Sequence, residues 1–187
     1  MTLWYVSRAT GLIALALFTL AMALGALTSG RAATPGLPRF AVVALHRNAS
    51  LLSLAFLSVH IGSAVIDSYV SIGWSDSIVS FLSSYQTLWI GLGTVAFDLL
   101  LAVLITTAVR TRIPLRLWQV VHRMSYLCWP IALAHTFGLL QSDANWHWIL
   151  AFDIGCVLVV VAALLYRWAV IHPDTAARNA TLERSSR

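Results

Sequence analysis

Long apolar runs separated by short polar connections dominate the chain. Five of them reach the ~20 residues that a helix needs to cross a bilayer core of ~30 Å. They extend approximately from Leu3 to Leu27, Phe40 to Ile66, Tyr85 to Val109, Leu117 to Leu140 and Trp146 to Ala169. All five are expected to be helical, because in lipid each backbone N–H and C=O has to be bonded within its own segment. Pro35, Gly36 and Pro38 break the chain before the second run and Pro114 before the fourth, while Pro173 opens a short polar tail that ends at Arg187. The pattern predicts an all-α integral membrane protein with five transmembrane helices in one bundle over residues 1–172, followed by a disordered cytoplasmic tail at 173–187.

Composition narrows the function classes. Of 187 residues 59% are hydrophobic and only 10% charged, which leaves little polar chain for a soluble domain. Gly91 and Gly93 in "WIGLGT" follow no strand, so they predict a close helix contact and not a phosphate-binding loop. Arg31 and Arg39 lie between runs one and two, Arg110, Arg112 and Arg116 between three and four, and Arg167, Arg178, Arg184 and Arg187 at or beyond the end of five. The remaining connections hold Asp67, Asp76 and Asp143 and no Lys or Arg. By the positive-inside rule the arginine-bearing side is cytoplasmic, placing the protein in the cell membrane with its amino terminus outside. The net charge of +5 is thereby a topology signal, with lipid and no nucleic acid as the implied contact. The first run is too long for a signal-peptide core of about 7 to 15 residues and is read as a retained helix. Tryptophans 4, 74, 89, 118, 146, 148 and 168 near the span ends predict an aromatic belt, and Cys128 and Cys156 predict small buried thiols.

Histidines inside two of the spans are harder to place as structure. His46 and His60 occupy the second span, and His122 and His135 the fourth. One antiparallel span separates them, so the two spans run the same way and the histidines form two level pairs, His46 with His122 and His60 with His135. At ~1.5 Å per residue the pairs are stacked about 20 Å apart. Fourteen residues return His60 to within about 40° of His46, whereas thirteen leave His135 about 140° away from His122. Pro130 lies between the latter two and is where a kink or rewinding of the helix is expected. Two neutral imidazoles from facing helices suit axial ligation of a haem iron in an apolar slot. Zinc fits less well, since no Cys or carboxylate completes a tetrahedral set. His147 and His172, in a loop and after the last span, are expected to be structural.

This paired spacing resembles the transmembrane domain of the ferric reductase and NADPH oxidase family, over about residues 1–170. The resemblance implies two haem b groups, an inner one on His46 and His122 and an outer one on His60 and His135, passing single electrons outward. The chain departs from larger members in having five spans where six are common and no FAD- or NADPH-binding domain. In being short and lacking the dehydrogenase it is similar to members that act as haem subunits of methionine sulfoxide reductase systems. A cytoplasmic or membrane-associated flavin reductase is then the implied donor, flavin entering only through that partner. The acceptor is left open between ferric iron, oxygen, a quinone and an extracytoplasmic protein or small molecule. No residue is singled out as catalytic; the chain reads as an electron-transfer component of an oxidoreductase.

Arginines flank the proposed ligands. Arg47 and Arg123 directly follow His46 and His122 and are suited to haem propionates, with phosphate headgroups competing for them. Arg8, inside the first span, resembles a family arginine beside the outer haem, the competing role being an interfacial anchor. Asp98 and Asp153 lie within spans, where charge is costly; hydrogen bonding between helices is expected for Asp98. Two rival classes remain open from sequence: a self-sufficient quinone- or superoxide-linked oxidoreductase, and a haem or metal transporter or structural subunit.

Overall fold

In the computed structural model, residues 2–29, 38–67, 72–140 and 146–169 are described. The expected tail at 173–187, together with Arg31, Pro35, Gly36, Asp143 and His172, lies outside them. Among the described residues six α-helices follow in order: α1 (Thr2–Ser29), α2 (Arg39–Ile66), α3 (Thr87–Ala108), α4 (Leu115–Arg123), α5 (Ser125–Gly138) and α6 (Trp146–Ala169). No strand occurs among the described residues. Four helices, α1, α2, α3 and α6, are each long and apolar enough to cross a membrane, and the protein is a multi-pass all-helical membrane protein. Hydroxyl side chains along them turn back onto their own helix: Thr10 donates to Val6 O at 2.7 Å, Ser50 to His46 O at 2.8 Å and Thr106 to Ala102 O at 2.7 Å. An unpaired hydroxyl in hydrocarbon is costly, so this is how a Ser or Thr is tolerated there.

The fourth expected span differs. It is divided at Met124 into α4 and α5, of 9 and 14 residues, and neither is long enough alone. At the joint the turn tightens: the Met124 N–H donates to Val121 O at 2.9 Å and the Ser125 hydroxyl to His122 O at 2.8 Å. Pro130, the expected site of rewinding, lies inside α5 without ending it. A turn of the tighter kind advances ~120° per residue against ~100°, so it removes part of the mismatch between His122 and His135.

Packing sets up two helix pairs with a space between them. α1 lies along α2 and also touches α5 and α6, while α3 lies along α5 and touches α4. The core forms where α1, α5 and α6 meet, around Leu15, Met22, Trp129, Cys156 and Val160. There the Trp129 indole N–H donates to Thr19 Oγ1 at 3.0 Å, satisfying a polar group that lipid would leave bare. By contrast, no Cα of α2 comes within 8 Å of one in α4 or α5. The two histidine-bearing segments therefore face each other across a slot wider than ordinary helix contact at 8–10 Å between axes with small residues.

Candidate functional site: two facing histidine pairs

A seven-residue repeat builds one wall of the slot. On α2, His46, Ser53 and His60 stand seven residues apart, and on α1 so do Ala21, Ala14 and Ser7. Each α2 side chain donates to the main-chain carbonyl opposite it: His46 Nδ1 to Ala21 O at 2.8 Å, Ser53 Oγ to Ala14 O at 2.9 Å, and His60 Nδ1 to Ser7 O at 2.7 Å. Ser7 Oγ adds a bond to His60 O at 3.1 Å. Side chains seven apart stay on one seam when two helices cross at a shallow angle. That explains the fourteen-residue separation of His46 and His60, which is two repeats.

The opposite wall repeats the device with one exception. His135 Nδ1 donates to Trp89 O at 2.7 Å, and seven residues earlier Cys128 Sγ donates to Ala96 O, seven residues further along α3, at 3.1 Å. One more repeat would fall on Val121, so His122, at thirteen residues from His135, is off this seam. Its Nδ1 is buried and has no hydrogen-bond partner among the described residues. Instead its ring stacks on Trp118, with centroids 5.0 Å apart and planes at 19°. Trp118, expected only as a belt residue, is in turn held by its indole N–H donating to Thr107 Oγ1 at 3.3 Å.

The four rings meet as level pairs. His46 and His122 have centroids 6.3 Å apart with planes at 76°, and His60 and His135 are 6.4 Å apart at 79°. A carbonyl accepts only from a protonated nitrogen, so the bonds at Nδ1 of His46, His60 and His135 leave Nε2 of each as a bare lone pair. Glycines make room behind three of the rings. A Cβ on Gly11 would lie 2.8 Å from His60 Nδ1, one on Gly93 2.6 Å from His135 Nδ1, and one on Gly25 3.3 Å from His46 Cε1. Gly91 and Gly93, expected as helix contacts, are thus seats for the rings of Phe81 and His135. Sequence reasoning missed Gly11 and Gly25, although Ser7, Gly11, Ala14, Ala21 and Gly25 form a stripe of small residues on one face of α1.

Between the His60–His135 pair and the middle of the bundle lies a mainly apolar cavity of about 1250 Å³, open mouth included, lined among others by Phe18, Leu57, Phe97 and Cys128. Arg8 and Asp76 stand in its wall, and the Arg8 guanidinium lies 5.1 Å from the centroid of the Trp4 ring. Arg47 and Arg123 are exposed beside His46 and His122. Asp98 departs from expectation: it is exposed on α3, with no hydrogen bond to another helix among the described residues. Asp153 is 5% exposed, and among the described residues neither of its carboxyl oxygens has a hydrogen-bond partner. Both cysteines are buried and free, as expected. Among the described residues no group of three or more His, Cys, Asp or Glu side chains converges to hold a metal ion.

A family profile described as "Ferric reductase like transmembrane component" matches residues 10–133. No curated protein and no solved structure matches the chain.

Proposed function

Because the chain belongs to the ferric reductase-like transmembrane family, whose character is that of a membrane electron-transfer component, we propose that it is a dihaem cytochrome b. It takes single electrons from a cytoplasmic-side flavin reductase and delivers them to an extracytoplasmic acceptor. His46 and His122 hold the inner haem, and His60 and His135 the outer. The ring spacing carries this reading. A metal–imidazole bond is ~2.0 Å and the ring nitrogen ~1.2 Å from its centre, so two rings sharing one ion through facing nitrogens have centres ~6.4 Å apart. The observed 6.3 and 6.4 Å agree with that.

The residues present fit such a group. Three carbonyls lock the histidines in the Nδ1–H form, which orients Nε2 and raises its basicity as a ligand. Gly11, Gly25 and Gly93 let the rings sit close to the neighbouring helices, keeping the slot free. Apolar side chains line the cavity at the second pair, and Arg8 in that wall is placed to meet a propionate or a small anion. Arg47 and Arg123 stand ready for propionates at the first pair. When bound, haem supplies the one-electron redox chemistry, its potential tuned by ligands, hydrogen bonding and burial.

The test is haem content by the pyridine haemochrome method across histidine variants. Wild-type protein is expected to hold two haem b per chain. His60→Leu and His135→Leu should each empty the outer site and leave a haem that a cytoplasmic-side donor still reduces. Combining them should cost little more, since two ligands of one group act as a unit. His46→Leu and His122→Leu should empty the inner site. Well-folded protein without haem overturns the proposal, and His60→Leu and His122→Leu removing the same haem overturns the pairing.

A further inference from the structure

Three of the four proposed ligand rings are fixed the same way, by an Nδ1–H bond of 2.7 to 2.8 Å to a carbonyl of the neighbouring helix. The fourth, His122, has none among the described residues. The reason is local to the sequence. α5 places Cys128 and His135 on a seven-residue seam along α3, and the thirteen-residue spacing drops His122 one position off it, past the tightened turn at Met124. A half-buried ring without an edge hydrogen bond is free to turn about its bond to Cβ unless something holds its face. Trp118 lies one helical turn earlier, nearly parallel to that face at 19°, and its indole N–H is anchored on Thr107 at the end of α3.

We propose that Trp118 is the positioning residue of the inner haem. Through its stack on His122, and with Thr107 as its anchor, it replaces the carbonyl that orients each of the other three ligands. The proposal rests on the four histidines being haem ligands. It has an electronic consequence as well as a steric one. A hydrogen bond from Nδ1 pushes electron density onto Nε2, and His122 lacks it, so the inner iron has one strong and one ordinary imidazole while the outer iron has two strong ones. The two haems are therefore inequivalent by construction of the protein, and the inner one responds to changes in a tryptophan that touches neither the outer pair nor the seams.

The experiment compares wild type with Trp118→Leu, Trp118→Phe and Thr107→Val, purified with their haem. Haem content, low-temperature electron paramagnetic resonance of the ferric protein and redox titration are read together. In Trp118→Leu one of the two low-spin signals is expected to shift and broaden or give way to a high-spin signal. Its titration step should move, and the haem ratio should fall from two toward one. The other signal and step should stay in place. Trp118→Phe, which keeps a ring face against His122, should restore both haems and most of the low-spin signal. Thr107→Val should keep both haems and broaden the same signal that Trp118→Leu alters. Unchanged signals and steps in Trp118→Leu overturn the proposal, and so does loss of both haems together with Trp118→Phe behaving no better. If wild type holds two haems but His122→Leu leaves both in place, the ligand assignment has failed, and with it the premise.

Discussion

At the scale of single residues, the site depends on atoms that are missing as much as on those present. Gly93 and Gly11 lie so close to His135 and His60 that a methyl group would approach to 2.6 and 2.8 Å. The obstructing atoms belong to rings already held by a carbonyl, so the ring has to tilt and give up that bond. Gly93→Ala and Gly11→Ala are therefore expected to weaken the outer haem roughly 10- to 100-fold, the usual scale for disturbing a ligand's orienting bond. Titrating haem into stripped protein measures this, and an unchanged outer affinity would return both glycines to simple packing. Gly62 and Gly155, where an added Cβ meets nothing within 4 Å, are the controls and should leave both sites intact. Arg8 makes a different test, since it lines the cavity at the His60–His135 pair. Arg8→Ala should alter the outer haem's potential or its reaction with an external acceptor more than the inner haem's, and a titration in which neither moves would leave it an anchor on Trp4.

Pairs of helices determine how rigidly those residues are held. The α1–α2 seam carries three bonds from α2 side chains to α1 carbonyls, and the middle one, from Ser53, involves no ligand. Ser53→Ala should destabilise the pair by about 0.5 to 1.5 kcal/mol, the scale of an interhelical hydrogen bond inside a membrane. Both histidine pairs should persist, because His46 and His60 keep their own carbonyls. Unfolding in mixed micelles with haem content followed in parallel separates the two quantities. Loss of haem at unchanged stability would mean that Ser53 faces the cofactor and not the seam. The divided α4–α5 segment shows the converse case, in which a local interruption is tolerated because Ser125 and a tightened turn take up the carbonyls it frees.

For the whole molecule, the pairing of His46 with His122 and His60 with His135 requires α2 and α4–α5 to run in the same direction. The proposed orientation of the bundle rests on the distribution of arginine. Arg110, Arg112 and Arg116 lie together at the end of α3 and start of α4, and Asp76 in the connection before α3. With the arginines cytoplasmic, a cysteine placed at position 76 should be labelled by an impermeant reagent in intact cells, and one at position 112 only after the membrane is opened. The reverse pattern would invert the direction of electron flow proposed here. Asp98, exposed at mid-length of α3, and Asp153, buried without a partner, are costs the bundle carries for which the described residues show no compensation.

The positions of four of the five spans and the level of each histidine pair were legible in the sequence itself, because rise per residue, lipid thickness and a bilayer's demand for internal hydrogen bonds act locally and leave few alternatives, whereas the expected fourth span is divided into α4 and α5. The family resemblance read from His46, His60, His122 and His135 was legible for the same reason: spacing along a helix survives whatever the helices do next. Tertiary structure alone decided which nitrogen of each ring stays bare, since that depends on carbonyls contributed by Ser7, Ala21 and Trp89, from 25 to 53 residues away in the chain. It also decided that the expected fourth span is interrupted by a tightened turn at Met124, which takes up part of the mismatch, and that Trp118 turns from the expected belt onto His122. Periodicity describes one helix at a time, whereas a ring's orientation is set by the helix packed against it.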